Sequence, residues 1–150
     1  MTLVAEHNGI LARIREDLPD VGCYLYIMLP TGKSKDHLQD TKEIAILQAE
    51  KEYDIPRTAW HQTQEIYIYL LNEGTDAWRP VDAIVLGEGI YEIPRDAIVP
   101  EDEDWEFLPG SMVRCAIRRL SGRDCMAAIE AKQHDKTEQD GAGNGAPRRT

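Results

Sequence analysis

The alternation of apolar and polar positions is clearest between residues 65 and 131, where short β-type runs are broken by turn residues. The runs cover 65–71, 78–86, 90–93, 112–120 and 125–131. Within them the period is two. Val81, Ala83 and Val85 share one face; Val113, Cys115 and Ile117 share another, with Arg114 and Arg118 opposite. The breaks are Asn72-Glu73-Gly74-Thr75, Gly87-Glu88-Gly89, a long connection over 94–110, and Gly122-Arg123-Asp124. A turn at Gly122-Arg123-Asp124 sets Ser121 against Cys125, Cys115 against Ala131 and Ile117 against Ile129. Five short strands left open would invite edge-to-edge association. The economical arrangement is a small SH3-like, five-stranded antiparallel barrel. Its first strand, Ile66-Tyr67-Ile68-Tyr69-Leu70-Leu71, is apolar on both faces, so one face fills the barrel and the other needs a cover.

Ahead of the barrel the pattern is mixed. Asn8 fits the N-cap of a helix over 9–17, with Ile10, Leu11 and Ile14 on one side and Pro19 ending it. Residues 23–29 form an apolar and aromatic run between Gly22 and Pro30 that reads as a buried strand, followed by a Pro30-Thr31-Gly32 turn. From 36 to 53 the period becomes helical. Asp40 and Glu43 form a capping-box-like pair, with Thr41 as the alternative cap, and Ile46, Ala49 and Tyr53 form a narrow apolar stripe. Ile55-Pro56 ends the helix. A helix of this length is marginal alone, so it is expected to cover the open face of the first barrel strand. The chain is therefore mainly β, α+β overall, with an N-terminal strand and helix packed on the barrel. It divides into an extension over 1–62, a barrel over 63–131 and a disordered tail over 132–150, where no apolar residue anchors Asp140-Gly141-Ala142-Gly143-Asn144-Gly145-Ala146-Pro147.

Composition sharpens this picture. The length of 150 residues and an apolar fraction of 42% support one small core-forming domain with an extension. Seventeen basic against twenty-seven acidic residues leave a net charge of −10, which opposes nucleic acid and anionic membranes and suits a basic partner. No apolar run approaches the ~20 residues needed to span a bilayer. The opening Met1-Thr2-Leu3-Val4-Ala5-Glu6-His7 lacks the pattern of a signal peptide, so a cytoplasmic location is expected. Cys23, Cys115 and Cys125 are odd in number with no CxxC spacing. In the register above, Cys115 and Cys125 lie on the order of 20 Å apart at ~3.4 Å per residue, too far for a disulfide.

Candidate chemistry is sparse. Gly32-Lys33-Ser34 resembles the end of a phosphate loop, but Ile27 stands where the first glycine belongs. The acidic segment Glu101, Asp102, Glu103, Asp104, Trp105 and Glu106 is the candidate binding element. It lacks the alternation and central glycine of an EF-hand and reads as a solvated charge run, balanced in part by Arg114, Arg118 and Arg119 or free to meet a basic partner. His7, His37, His61 and His134 occupy four separate segments without metal-ligand spacing. No catalytic residue, metal site or cofactor is assigned.

Within the barrel region one ordered set of motifs stands out: Tyr69-Leu70-Leu71-Asn72-Glu73-Gly74-Thr75, Trp78-Arg79-Pro80-Val81, residues 100–107 from Pro100 to Phe107, Pro109-Gly110-Ser111 and Val113-Arg114-Cys115. It resembles a family of short bacterial hypothetical proteins carrying the pattern YLLxEGT, WRPV, PEDExWEF, PGSxVRC. The match covers under half the chain. It implies a bacterial origin and a small all-β domain and carries no function across. In physical terms the motifs are structural: a turn at Asn72-Glu73-Gly74, a strand start or edge at Pro80, and core anchors in Trp78, Trp105 and Phe107.

Three function classes follow as expectations. The first is a non-enzymatic protein-binding module whose 101–106 loop recognises a basic partner, by analogy with acidic immunity proteins that neutralise basic nucleases. The second is a small metal-dependent hydrolase. The third is a single-strand nucleic-acid binder using Tyr67, Tyr69 and Tyr91 as stacking platforms, which the acidic charge disfavours. A homodimer through the open face of the first strand is a further expectation.

Overall fold

The computed structural model describes residues 2–16 and 21–133. The elements run β1 (Thr2–His7), β2 (Ile10–Glu16), β3 (Cys23–Met28), β4 (Ser34–Gln39), α1 (Lys42–Tyr53), a 3₁₀ turn (Arg57–Ala59), β5 (Trp60–Leu71), β6 (Trp78–Gly87), β7 (Ile90–Glu92), β8 (Asp104–Trp105), β9 (Met112–Leu120) and β10 (Arg123–Ala131). Most of the expected tail, and Pro19, lie outside the described residues.

The barrel is present as a closed five-stranded unit. β10, β9, β7, β6 and β5 are successive antiparallel neighbours, and a short parallel contact at Ala127 and Tyr67 closes the ring. Its interior is filled by Ile66, Ile68, Ala83, Ile93 and Val113, with Tyr91 and Trp105 at its margins. The alternation along β5 decides this: Ile66, Ile68 and Leu70 point inward and Tyr67 and Tyr69 outward.

The last hairpin has a different register from the expected one. Ser121 and Gly122 both adopt positive φ (50° and 81°), which makes the two-residue turn that hairpin twist favours. Leu120 then faces Arg123, Cys115 faces Ala128, and Cys125 faces Arg118. Ile117 pairs with Met126 rather than Ile129 and is 55% exposed, outside the inner face of Val113 and Cys115. All three cysteines are buried free thiols. Burial pushes the Cys115 thiol up to about 11, which keeps it unreactive.

The N-terminal region departs further from expectation. The helix predicted over 9–17 is instead a β-hairpin, β1 with β2, in full antiparallel register from Thr2 and Arg15 to His7 and Ile10. Asn8 and Gly9 take φ 52° and 81°, so the residue read as a helix cap is the first half of a two-residue hairpin turn. The β3 strand is as predicted, and β4 continues the meander. Residues 34–39 are therefore a strand, and α1 begins only at Lys42, capped by Thr41, whose hydroxyl accepts from the Ile44 amide at 3.2 Å. A strand rather than a helix also follows Gly32-Lys33-Ser34, so no helix N-terminus stands there to hold a phosphate. Gly22 is required: its φ is 110°, and a Cβ would come within 2.4 Å of the Gln39 carbonyl oxygen.

Helix α1 does not cover the barrel strand. Ala45 and Ala49 pack on Ala12, Ile14, Leu25 and Ile27, so the helix closes a second core on one face of the N-terminal sheet. Small residues at the contact bring the helix backbone close to the sheet, and its larger Ile44 and Leu47 point outward. The extension meets the barrel through β5. Its first residues, Trp60, His61 and Gln62, pair with β1, while its remainder pairs with β6. Val4, Leu11 and Ile84 form a small apolar cluster beneath this junction. No helix among the described residues is long and apolar enough to cross a membrane.

Candidate functional site

Two connections on the barrel converge at one end. The short β8 strand pairs with the end of β5, setting Trp105 against Leu70 and Asp104 against Leu71. The amide of Glu106 donates to the Tyr69 carbonyl at 2.9 Å, which extends the seam. This pairing carries the acidic 101–106 segment next to the β5–β6 turn, where Glu73 and Asp76 lie. Asn72 takes positive φ (62°) at the start of that turn and donates from Nδ2 to Asp104 at 2.9 Å. Two acidic loops, distant in sequence, thus share one pole.

The predicted residues divide into two roles. Trp105 is 5% exposed and belongs to the barrel core. Its indole Nε1–H donates to Glu103 at 3.0 Å, and Arg79 Nε donates to the same oxygen at 3.0 Å. The Arg79 guanidinium beside it, together with the indole, holds Glu103 below the usual carboxylate range. Glu103 and Trp105 are therefore structural supports of the loop. Glu101, Asp102 and Glu106 are exposed, as are Asp104, Glu73 and Asp76. None of these six has an ion-pair partner among the described residues. The arginines expected to balance the loop are engaged elsewhere: Arg114 pairs with Glu130, Arg119 with Asp124, and Arg118 donates to the Ile117 carbonyl. Arg79 takes that role instead.

Beside the carboxylates lies an aromatic pair. Tyr69 and Trp78 are cross-strand partners on the outer face of β5 and β6, with ring centroids 5.1 Å apart in an edge-on arrangement. Trp78 is thus not a core anchor. It sits half-buried on the face that sequence reasoning assigned to the helix. The Tyr69 hydroxyl donates to Asp76 at 3.0 Å, which raises the phenol pKa. Pro80 continues this face beyond the reach of β7, which pairs with β6 only from Ile84 onward, so its missing N–H breaks no ladder on that side.

The stacking-platform set changes as well. Tyr91 is 4% exposed and hydrogen-bonded to Gln64, so it offers no open ring. Tyr67 and Tyr69 keep partly open faces, with carboxylates of Glu65 and Asp76 on their hydroxyls. Among the described residues no three His, Cys, Asp or Glu side chains gather in a way that could hold a metal ion.

Sequence reasoning missed Glu73, Asp76, Tyr69 and Trp78 as members of this surface. The alternation along β5 signalled that Tyr67 and Tyr69 share a face; no local signal placed the 101–106 loop beside them. No protein-family model matches the chain, and no curated protein or solved structure matches it either.

Proposed function

We propose that this chain is a non-enzymatic protein-binding module whose acidic barrel end recognises a basic protein. The observation that supports it is the pairing of the acidic 101–106 segment with the end of β5, which sets Asp104 on Asn72 and the Glu106 amide on Tyr69, with Asp76 on the hydroxyl of Tyr69 in the half-open Tyr69–Trp78 pair. Arginine and lysine of a partner would find both needs met there: carboxylates for charge, and ring faces for the guanidinium or ammonium. The net charge of −10 strengthens long-range attraction of such a partner.

The test is affinity capture of a partner by the intact chain from its host's lysate, washed across a salt series. A basic protein recovered in stoichiometric amount and released by salt is the expected result. The variant with Glu101→Gln, Asp102→Asn and Glu106→Gln together should lose most of that capture while keeping its fold, because none of the three carries an ion pair among the described residues. Capture unchanged by the triple variant would overturn the assignment of the surface. Recovery of nothing but the chain itself would point to self-association through the Tyr67, Tyr69 and Trp78 face.

A further inference from the structure

Two faces meet where the β1–β2 hairpin lies against the barrel, and strand register shows how they are fastened. On the hairpin, Glu6 faces Leu11 and Val4 faces Arg13 across the ladder. On the barrel, Ile84 of β6 faces Glu92 of β7. Val4, Leu11 and Ile84 close into a buried apolar cluster. The polar residues beside it clasp in both directions. Arg95, in the turn after β7, pairs with Glu6 at 3.3 Å and donates to the Gly9 carbonyl at 2.9 Å. The next residue, Asp96, accepts from both terminal nitrogens of Arg13 at 2.9 and 3.2 Å. A cation from the barrel and a cation from the hairpin thus each cross the seam. The backbone tie between hairpin and barrel is short: Leu3, Val4 and Ala5 pair with Gln62, His61 and Trp60 at the start of β5. That ladder is a hinge, and the turn holding Arg95 and Asp96 is the fastening.

The charges at the seam do not balance. The Glu92 carboxyl, when protonated, donates to the Glu6 carboxylate, and the Arg95 guanidinium acts on both. Arg13 is spent on Asp96 and also feels Asp82 of β6. The cross-strand partners of Glu92, Ile84 on β6 and Met112 on β9, carry no charge. Glu6, Glu92, Asp82 and Asp96 therefore share Arg13 and Arg95, and ionising all four carboxyls on this half-buried surface leaves repulsion that no cation answers. One proton held between Glu6 and Glu92 relieves it.

We propose that Glu6, Glu92 and Arg95 form a proton-operated latch that fastens the β1–β2 hairpin to the barrel. With the shared proton in place the pair carries one negative charge, which Arg95 answers, and the clasp is closed. When the proton leaves, two carboxylates compete for one guanidinium and the clasp parts. The hairpin then turns about its β5 pairing and uncovers Leu11 and Ile84. Burial first, and then the hydrogen bond and like charge of Glu6, raise the Glu92 carboxyl to about 8, so release comes as pH rises. The apolar cluster is hidden in the acidic state and presented in the alkaline one.

The test is a pH titration of the full chain with three readouts: methyl NMR of Val4, Leu11 and Ile84, fluorescence of added anilinonaphthalene sulfonate, and far-ultraviolet circular dichroism. The methyl signals should move together through one step at about 8. Dye fluorescence should rise through the same step, and the dichroism should stay flat because both halves keep their strands. Glu92→Gln mimics the protonated carboxyl and should abolish the step with the hairpin closed throughout. Glu6→Gln removes the like charge and should move the step to lower pH. Methyl signals that do not titrate, a step that survives Glu92→Gln or stays in place in Glu6→Gln, dye fluorescence flat across the step, or dichroism lost along with it would each overturn the latch.

Discussion

The barrel closes on itself, whereas the sheet of β1 to β4 stays open and depends on a helix to cover one face. Closure gives the barrel a core built from large side chains, Ile66, Ile68, Ile93 and Trp105, that meet from opposite walls. The open sheet has no opposite wall of its own. It buries Ile14, Leu25 and Ile27 beneath Ala45 and Ala49, where small helix residues permit close approach. The difference extends to the outer faces. The barrel leaves uncovered an aromatic pair near exposed carboxylates, and the open sheet leaves a cleft floored by Tyr26 in which Arg13 and Arg15 stand with Asp36 and Asp96. A single chain therefore presents two surfaces of different charge balance, one acidic and one with both signs, each on the side its core does not need.

The two cores are joined through β5 and the Val4, Leu11 and Ile84 cluster, so the comparison is one of neighbours within a cooperative unit. Leu25→Ala in the sheet core and Ile68→Ala in the barrel core, both fully buried, should each cost about 2–5 kcal/mol. Both should shift one shared unfolding transition, followed by urea titration with circular dichroism and tryptophan fluorescence. Separate transitions for the two variants would mean that the halves fold independently.

The seam between the halves carries a titrating group. Glu92 on β7 is half-buried beside Glu6 on β1; burial first, and then the hydrogen bond and like charge of Glu6, push its carboxyl from 4.5 up to about 8 against the opposing effect of Arg95. Arg95 itself holds Glu6 at 3.3 Å and donates to the Gly9 carbonyl at 2.9 Å. Because the folded pKa is raised, the folded chain binds this proton more tightly than the unfolded chain. The resulting stabilisation is present below about 4.5 and is lost as pH climbs through about 8. The melting temperature should therefore fall between those values, and Glu92→Gln should flatten that fall. An equal slope in the variant would remove the Glu6–Glu92 contact from the account of the seam.

The smallest expected effect lies on the helix. Thr41→Ala removes the side-chain acceptor for the Ile44 amide and should cost about 1 kcal/mol by denaturant titration, with Thr41→Ser near the parent. A loss several times larger would show that the N-terminal turn of α1 holds the sheet core more firmly than Ala45 and Ala49 alone explain.

Much of this was legible from the residues. Period-two alternation and turn residues delimit the barrel strands, β3 and the body of α1, because those signals act over a few residues. Asn8-Gly9 was misread as a helix cap: the pair is a two-residue hairpin signal, and its positive φ at both positions is what the β1–β2 turn uses. The turn at Ser121-Gly122 had the same kind of signature, and moving it by a residue displaces every pair in the hairpin.

The alternation of side chains, the turn positions and the overall charge thus belong to the sequence itself, since each depends on neighbours along the chain. Which element covers which face belongs to the tertiary structure. An apolar face states that it must be covered and does not name its cover, so α1 fitted either core until packing chose the sheet. The same holds for the two surfaces: Asn72 meets Asp104 of the 101–106 loop, and Arg13 meets Asp96, only because strands pairing across long separations bring them together. Those pairings are set by the combined burial of both cores, a quantity that no local stretch of residues contains.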